Sequence, residues 1–541
     1  MRFKKGRTIR MKKIMTRIMA CSLSVLMVLS MAACKKGEAI SGDDKTLNIR
    51  VYKAGYGDDF VRALIAAFET TYLEEGYKIN IVSSDTTIQA TTVTNELLLG
   101  ENNGIDLYIA GNVSPDSLVT VSKANNMDMI AADLSDVYES APIKADKTEE
   151  DITILEKLKN GYADYQRYDG EEEEYKGNYY GFAYRSSPTG FIVNTDLLQS
   201  YGLEIPKTTD ELIACFETIL GKTAETGVYP TAWAGYNAYQ YWDMVRDVWV
   251  AQYSGVDNYN KFCSMTYSDD IEEGWKVYED KGWVESLNVL GTCLNLDNAM
   301  DKTINMDHTT AQHHFLSGKA VFMANGAWLQ NEMAANYLQQ ASGMTMIKTP
   351  VVSSLGAKIG LANDATLSQI VGLVDEGKTV DEIVATVSGV TAEQVETVKE
   401  ARCIFYDWGC AESIVVNAHS KKLDLAKLFL RYIASDDAIN MIYEYASSYT
   451  PYKTLTEMEV TDTTTKFMAS VHAISNTEGA QFIYNHVSGY RHLFALNTFN
   501  KYEIVKDLAT AKGTLSGETV MQDELEYVKE VWEKRVKEYK K

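Results

Sequence analysis

The chain has 541 residues, 45% of them apolar and 23% charged. That length exceeds the roughly 250–300 residues one hydrophobic core supports, so a globular molecule of two or more lobes is expected. Its net charge is −23; the first 33 residues hold eight Lys+Arg and no acid, which leaves 44 Lys+Arg against 75 Asp+Glu, a balance of −31, in the remainder. So acidic a body excludes nucleic acid and anionic membrane surfaces as partners and disfavours a strongly anionic ligand. The 34 tyrosines supply flat apolar faces with a hydroxyl at the tip, which suits sugar rings.

All eight early positive charges lie between Arg2 and Arg17, and residues 18–33 are almost wholly apolar. That is too short for a permanent span and fits the core of a signal peptide over 1–33. The run ends Met31-Ala32-Ala33-Cys34, which resembles a bacterial lipobox, so lipidation of Cys34 is expected. Residues 34–45 are then a lipidated, polar tether, and a lipid anchor is the only membrane contact implied. The cysteines at 215, 263, 293, 403 and 410 have no metal or disulfide-framework spacing. Buried thiols are expected, with a Cys403–Cys410 bridge as the alternative.

From Leu47 the pattern alternates strand and helix. Leu47–Val51, Tyr77–Val82 and Ile105–Ala110 are strands, and Phe60, Ala63, Leu64, Ala67 and Phe68 form a helical stripe between the first two. This order predicts a parallel sheet with ligand beyond the strands' carboxyl ends. Tyr52, Tyr56, Ser84, Asp85, Gly111 and Asn112 would stand at that mouth. The Glu171–Glu174 run lacks calcium-loop spacing and is a solvated turn. At Gly190–Leu212 a buried strand passes through Asn194-Thr195-Asp196 into a one-turn helix stopped by Gly202. Pro206 and Thr208 or Thr209 then start a longer helix.

Beyond it, Trp233, Tyr236 and Asn237 belong to an aromatic run after a strand end, and offer a stacking wall. Phe315–Met323 leads to Ala324-Asn325-Gly326-Ala327-Trp328. His308, His313 and His314 lack metal-ligand spacing. Gly372–Thr379 is a literal G-x-x-x-x-G-K-T, but Asp375 and Glu376 put negative charge where phosphate would sit. Thr366/Gln369, Thr379/Glu382 and Thr391/Gln394 instead read as capping boxes of a helical insertion over about 362–405. Ala411–Asn417 is a further strand, and an amphipathic helix closes the chain from Met521 to Tyr539.

Asn194, Asp196, Leu197, Gly202, Leu203, Pro206, Thr208, Glu211 and Leu212 resemble a signature of bacterial extracellular solute-binding proteins of the sugar type. Phe315-x-x-Gly318-Lys319-Ala320 through Trp328, and Ala426–Ser435 with Pro451, resemble two more. The resemblance implies an α/β, periplasmic-binding-protein-like fold of two lobes joined by hinge crossovers, near 184–190, 345–352 and 450. It divides the chain into lobe 1, 46–186 and 350–450 with the insertion, and lobe 2, 187–349 and 451–541. It implies a monomeric extracellular receptor that captures a carbohydrate, an oligosaccharide by preference, and delivers it to ABC permease subunits, with no cofactor and no metal. Trp328 is the implied stacking residue, with Arg185 and Ser187 as polar contacts. The alternatives are a receptor for another neutral solute such as a peptide, or a surface glycoside hydrolase, which needs two carboxylates across the scissile bond.

Overall fold

The computed structural model describes residues 39–53, 55–237, 240–337, 343–446, 449–454 and 465–541. The signal segment 1–33, Cys34 and Tyr239 lie outside the described residues. Among the described residues eleven strands follow in chain order: β1 (Thr46–Tyr52), β2 (Lys78–Asp85), β3 (Leu107–Gly111), β4 (Phe182–Ala183), β5 (Pro188–Asn194), β6 (Tyr229–Thr231), β7 (Ala320–Gly326), β8 (Met344–Met346), β9 (Ile404–Asp407), β10 (Glu412–Val416) and β11 (Gln481–Ile483). They form two mixed sheets, ordered β2-β1-β3-β10-β4 and β11-β9-β5-β7-β6, with β8 also on β5. The fold class is the expected one.

In the first sheet β1 runs parallel to β2 and β3, while β10 lies antiparallel to both β3 and β4. Leu47, Ile49 and Val51 alternate into a core shared with Phe60, Leu64 and Phe68 of the helix Asp59–Thr71. Residues 39–45, expected as tether, are partly stitched down. The Ser41 N–H donates to Asn48 Oδ1 at 2.8 Å, Asn48 Nδ2 returns a bond to the Ser41 carbonyl at 2.8 Å, and Asn80 Nδ2 donates to the Ala39 carbonyl at 2.7 Å.

The second sheet is organised around β5, a buried strand that pairs antiparallel with β7, β8 and β9. Its continuation follows the sequence reading closely. Asn194 Oδ1 accepts the Leu197 N–H at 3.0 Å and caps the helix Thr195–Ser200. Gly202 sits at φ +74, the left-handed conformation that ends a helix. Thr208 then caps Thr209–Thr226, while the Lys207 N–H donates to Glu211 Oε2 at 2.7 Å.

The lobe division differs from expectation after residue 350. The helices Asp364–Asp375, Val380–Thr386 and Ala392–Arg402 bury Leu367, Ile370, Val371, Ile383, Val395 and Val398 in the core that holds Phe191, Trp242 and Trp249. The insertion therefore belongs with the second sheet. The chain continues straight into β9, also in that sheet, and crosses to β10 only at residues 408–411. The crossover expected at 345–352 is instead β8 and its exit, because β8 pairs with β5. Capping differs in one detail. Thr379/Glu382 and Thr391/Gln394 are reciprocal boxes, whereas Asn363 caps the first insertion helix by accepting the Thr366 N–H. Gly372 is helical and Thr379 is a cap, so this segment is no phosphate cradle. Cys403 and Cys410 are both buried and unpaired.

The two central crossovers, 184–187 and 408–411, are tied by one carboxylate. Asp407 Oδ1 accepts the Ser187 N–H at 2.7 Å and the Gly409 N–H at 2.6 Å; Oδ2 accepts the Tyr162 hydroxyl at 2.6 Å and the Ser186 hydroxyl at 2.7 Å. Gly409 has no room for a side chain, since a Cβ there would lie 2.3 Å from the Arg185 carbonyl. Burial, partly offset by these donors, lifts Asp407 from 3.8 to about 6. A raised folded-state value favours the protonated form in the fold. The stabilisation this brings is complete below 3.8 and is lost as pH rises through about 6. At about 1.4 kcal/mol per unit, wild type should lose about 3 kcal/mol relative to Asp407→Asn between acid and neutral pH. Denaturant melts of both proteins across that range check this; a gap that does not vary with pH would show that Asp407 titrates normally.

Candidate functional site

A cavity of about 180 Å³ lies where the two lobes meet, lined by Tyr52, Gly55, Tyr56, Tyr241, Met244, Trp328, Glu332, Trp408 and Glu412. Tyr52 ends β1, Gly55 and Tyr56 follow it, Glu412 begins β10, and Trp408 lies in the crossover between them and the second sheet. From the second lobe, Trp328 follows β7, Glu332 lies in the helix Leu329–Tyr337, and Tyr241 and Met244 lie in Gln240–Ser254. The site stands beyond the carboxyl ends of β1 and β7, the position open α/β sheets reserve for ligands.

Small residues shape the walls. A Cβ on Gly326 would fall 2.2 Å from the Trp328 ring, so the indole folds back over its own strand end. A Cβ on Gly111 would lie 2.8 Å from the Tyr52 ring, and one on Gly55 would lie 3.0 Å from Glu332 Oε1 and 3.2 Å from Trp328 Cβ. At Gly55 the lobes are in direct contact. Tyr241 meets Trp328 with ring centroids 5.6 Å apart at 52°, so the two rings form one continuous aromatic surface.

Behind the first-lobe wall is a buried ion pair. Arg185 is 1% exposed and its Nε donates to Glu412 Oε2 at 2.5 Å, with the Tyr184 hydroxyl on the same oxygen at 3.4 Å. The guanidinium lies 4.7 Å over the Tyr56 ring. Burial raises the Glu412 carboxyl, an effect Arg185 opposes. Burial lowers Arg185, but the Glu412 charge outweighs it and the guanidinium stays firmly protonated. Breaking such a pair on one side would strand a buried charge.

The expected site residues divide three ways. Tyr52, Tyr56 and Trp328 line the cavity, and Arg185 backs it. Ser187 is buried and gives its N–H to Asp407, so it belongs to the crossover. Asp85 accepts the Thr87 N–H at 2.7 Å, a turn role, and Asn112 holds a positive φ of 55 while donating its N–H to the Ala411 carbonyl. Neither lines the cavity. Trp233 is 2% exposed in the second core, whereas Tyr236 is 70% exposed. Asn237 accepts the His308 N–H at 2.9 Å, next to the Asp307-capped helix. The aromatic run does contribute, but through Tyr241, in the first turn of the helix Gln240–Ser254. Glu332, Trp408 and Glu412 carried no sequence signal of their own, although Glu412 opens a strand that was legible. Among the described residues no group of His, Cys, Asp and Glu could hold a metal ion.

Two lobes with chain crossovers at the seam and an aromatic cavity between them define a receptor of the periplasmic-binding-protein class. Residues 63–469 match the family described as "Bacterial extracellular solute-binding protein". The chain belongs to that family: it is an extracellular solute-binding protein of ABC transport, and it captures solute without transforming it. No curated protein sequence matches it. Among solved structures it is similar to a chitin oligosaccharide binding protein (TM-score 0.58, 12% identity, covering 91% of this chain and 100% of that one). It is also similar to a probable secreted solute-binding lipoprotein from Streptomyces coelicolor (0.57, 12%, 90% and 99%) and to the GacH receptor of Streptomyces glaucescens, solved unliganded and with acarbose (0.54, 15%, 90% and 98%). At these identities the likeness is one of fold.

Trp328→Ala is expected to weaken ligand binding more than tenfold, as loss of a central aromatic anchor does. Its folding cost should stay below the about 3–5 kcal/mol of a core tryptophan truncation. Calorimetric titration beside a denaturant melt separates these. Full destabilisation with intact affinity would make Trp328 a core residue.

Proposed function

We propose that the protein captures a carbohydrate in this interlobe cavity and hands it to an ABC import permease. The observation that carries the reading is the aromatic lining. Tyr52, Tyr56, Tyr241, Trp328 and Trp408 line the cavity, and Glu332 and Glu412 supply acceptors from opposite walls. A sugar ring offers apolar C–H faces for the first and hydroxyl donors for the second. Similar structures include a chitin oligosaccharide binding protein, a solute-binding protein in complex with raffinose and a receptor in complex with acarbose, which supports the same class here. With the lobes in contact, about 180 Å³ is less than the about 300–1,000 Å³ of ordinary small-molecule pockets. An oligosaccharide longer than the cavity would have to reach out of the cleft or hold the lobes further apart.

We also propose that Cys34 is lipidated and fixes the receptor to the outer face of the cell membrane, which supports delivery to a permease in the same membrane. The protein then acts as a monomer with no membrane contact but the lipid.

A thermal-shift screen of mono- and oligosaccharides against short peptides tests the ligand class. A rise in melting temperature with sugars only is the expected result, and a response confined to peptides would overturn the assignment. Incubation with the sugars found should leave them unhydrolysed. Cys34→Ser is expected to release the protein into the medium; retention on the membrane would remove the anchor from the account.

A further inference from the structure

Each lobe contributes one carboxylate to the cavity, and among the described residues no lysine or arginine lines it. Each carboxylate has one oxygen committed. Glu412 Oε2 is held by Arg185 and Tyr184, and Glu332 Oε2 accepts Gln312 Nε2 at 2.6 Å. The remaining oxygens, Oε1 of each, have no hydrogen-bond donor among the described residues, and neither belongs to the solvent-sealed, unpartnered atoms of the interior. Arg185 balances the charge of Glu412. Among the described residues nothing basic pairs with Glu332, and the side chain that hydrogen-bonds it is the neutral amide of Gln312. Glu332 lines the cavity with Trp328 and Tyr241, whose rings meet at a tilt of 52°.

An aromatic box with an unbalanced carboxylate favours a cation. Ring faces attract it electrostatically, the carboxylate neutralises it, and a site shielded from water strengthens both effects. The chain's net charge of −23 adds long-range attraction in the same direction. The volume limits the rest of the ligand to about one ring.

We propose that the cavity is specific for a single-ring amino sugar. Its ammonium would donate to Glu332 Oε1, its ring face would lie on Trp328, and a hydroxyl would donate to Glu412 Oε1. This rests on the carbohydrate reading and adds a charge and a size to it. It also gives Glu332 a part in lobe closure. A ligand ammonium would give Glu332 an opposite charge while the same ligand reached Glu412 on the other lobe, so binding would draw the two walls together.

The experiment is calorimetric titration of the full chain, at mildly acid pH, with glucosamine, galactosamine and mannosamine. Each is compared with its neutral parent hexose and its N-acetyl derivative, and choline serves as a cation that is not a sugar. At least one amino hexose is expected to bind about tenfold tighter than both of its uncharged counterparts. In Glu332→Gln, shown to be folded by its thermal melt, that ratio should fall towards one. Equal affinity for amino and neutral hexoses, or a ratio unchanged by Glu332→Gln, overturns the proposal and leaves the carbohydrate reading in place. Choline binding without response to any sugar overturns the carbohydrate reading, and the amino-sugar assignment with it. Silence from all three amino hexoses overturns the proposal.

Discussion

The Asp407 carboxylate and its four donors are the constraint on which the two-lobed arrangement depends. Two separate strands leave the second sheet at nearly the same point, one from the amino end of β5 and one from the carboxyl end of β9. Unless they are held together, the lobes would have two loosely related connections. The backbone N–H groups of Ser187 and Gly409 converge on one oxygen and the hydroxyls of Tyr162 and Ser186 on the other. All members are buried, so each bond is made where the alternative is an unsatisfied polar group rather than water. The near-contact of Gly409 with the Arg185 carbonyl brings the two backbones as close as chains can come.

The cavity inherits its geometry from that knot. Arg185 and Trp408 each adjoin a residue of the Asp407 cluster, and Glu412 follows within a turn. Arg185 reaches Glu412, and Tyr56 lies against the guanidinium. The floor of the site is thus continuous with the connections between lobes, while Trp328, Tyr241 and Glu332 come from the far wall. A ligand in contact with both sets of residues bears on the relation between the lobes through short, stiff links, without any long relay.

Local chemistry was the legible part of the sequence. The passage from β5 through Asn194, Gly202 and Thr208 could be read residue by residue, because caps and stops act within a turn or two of themselves. Two of the three capping boxes in the insertion were right for the same reason. What could not be read was where the insertion packs. Its buried residues, such as Leu367 and Val395, suit any apolar surface, and β9 and β11 are too short to stand out by period. Placing them needs β11 paired with β9 (Gln481 with Ile404) and β9 paired with β5 (Asp407 with Pro188), and pairing at such range leaves no mark in a local window. The same limit explains the site. Trp328 and Tyr52 were reachable as residues following strands, but Trp233 follows a strand too and turns inward, because β6 is an edge strand whose exit lies over the second core. Glu332 and Glu412 are ordinary acids in a chain with 75 of them until the fold sets them across one cavity.

The residues just before β1 carry a directional consequence. Ala39 and Ser41 are pinned to Asn80 and Asn48 at the amino-terminal end of the first sheet, whereas Tyr52 opens on the cavity from the other end of the same strand. Seven residues of extended chain separate the two by about 20 Å. Whatever holds the chain upstream of Ala39 therefore grips the first lobe from behind, with the cleft mouth turned outward. With the proposed lipid on Cys34, the bound solute would be presented on the side of the molecule opposite its leash, and the receptor would have to pivot about that leash to bring its mouth to the membrane.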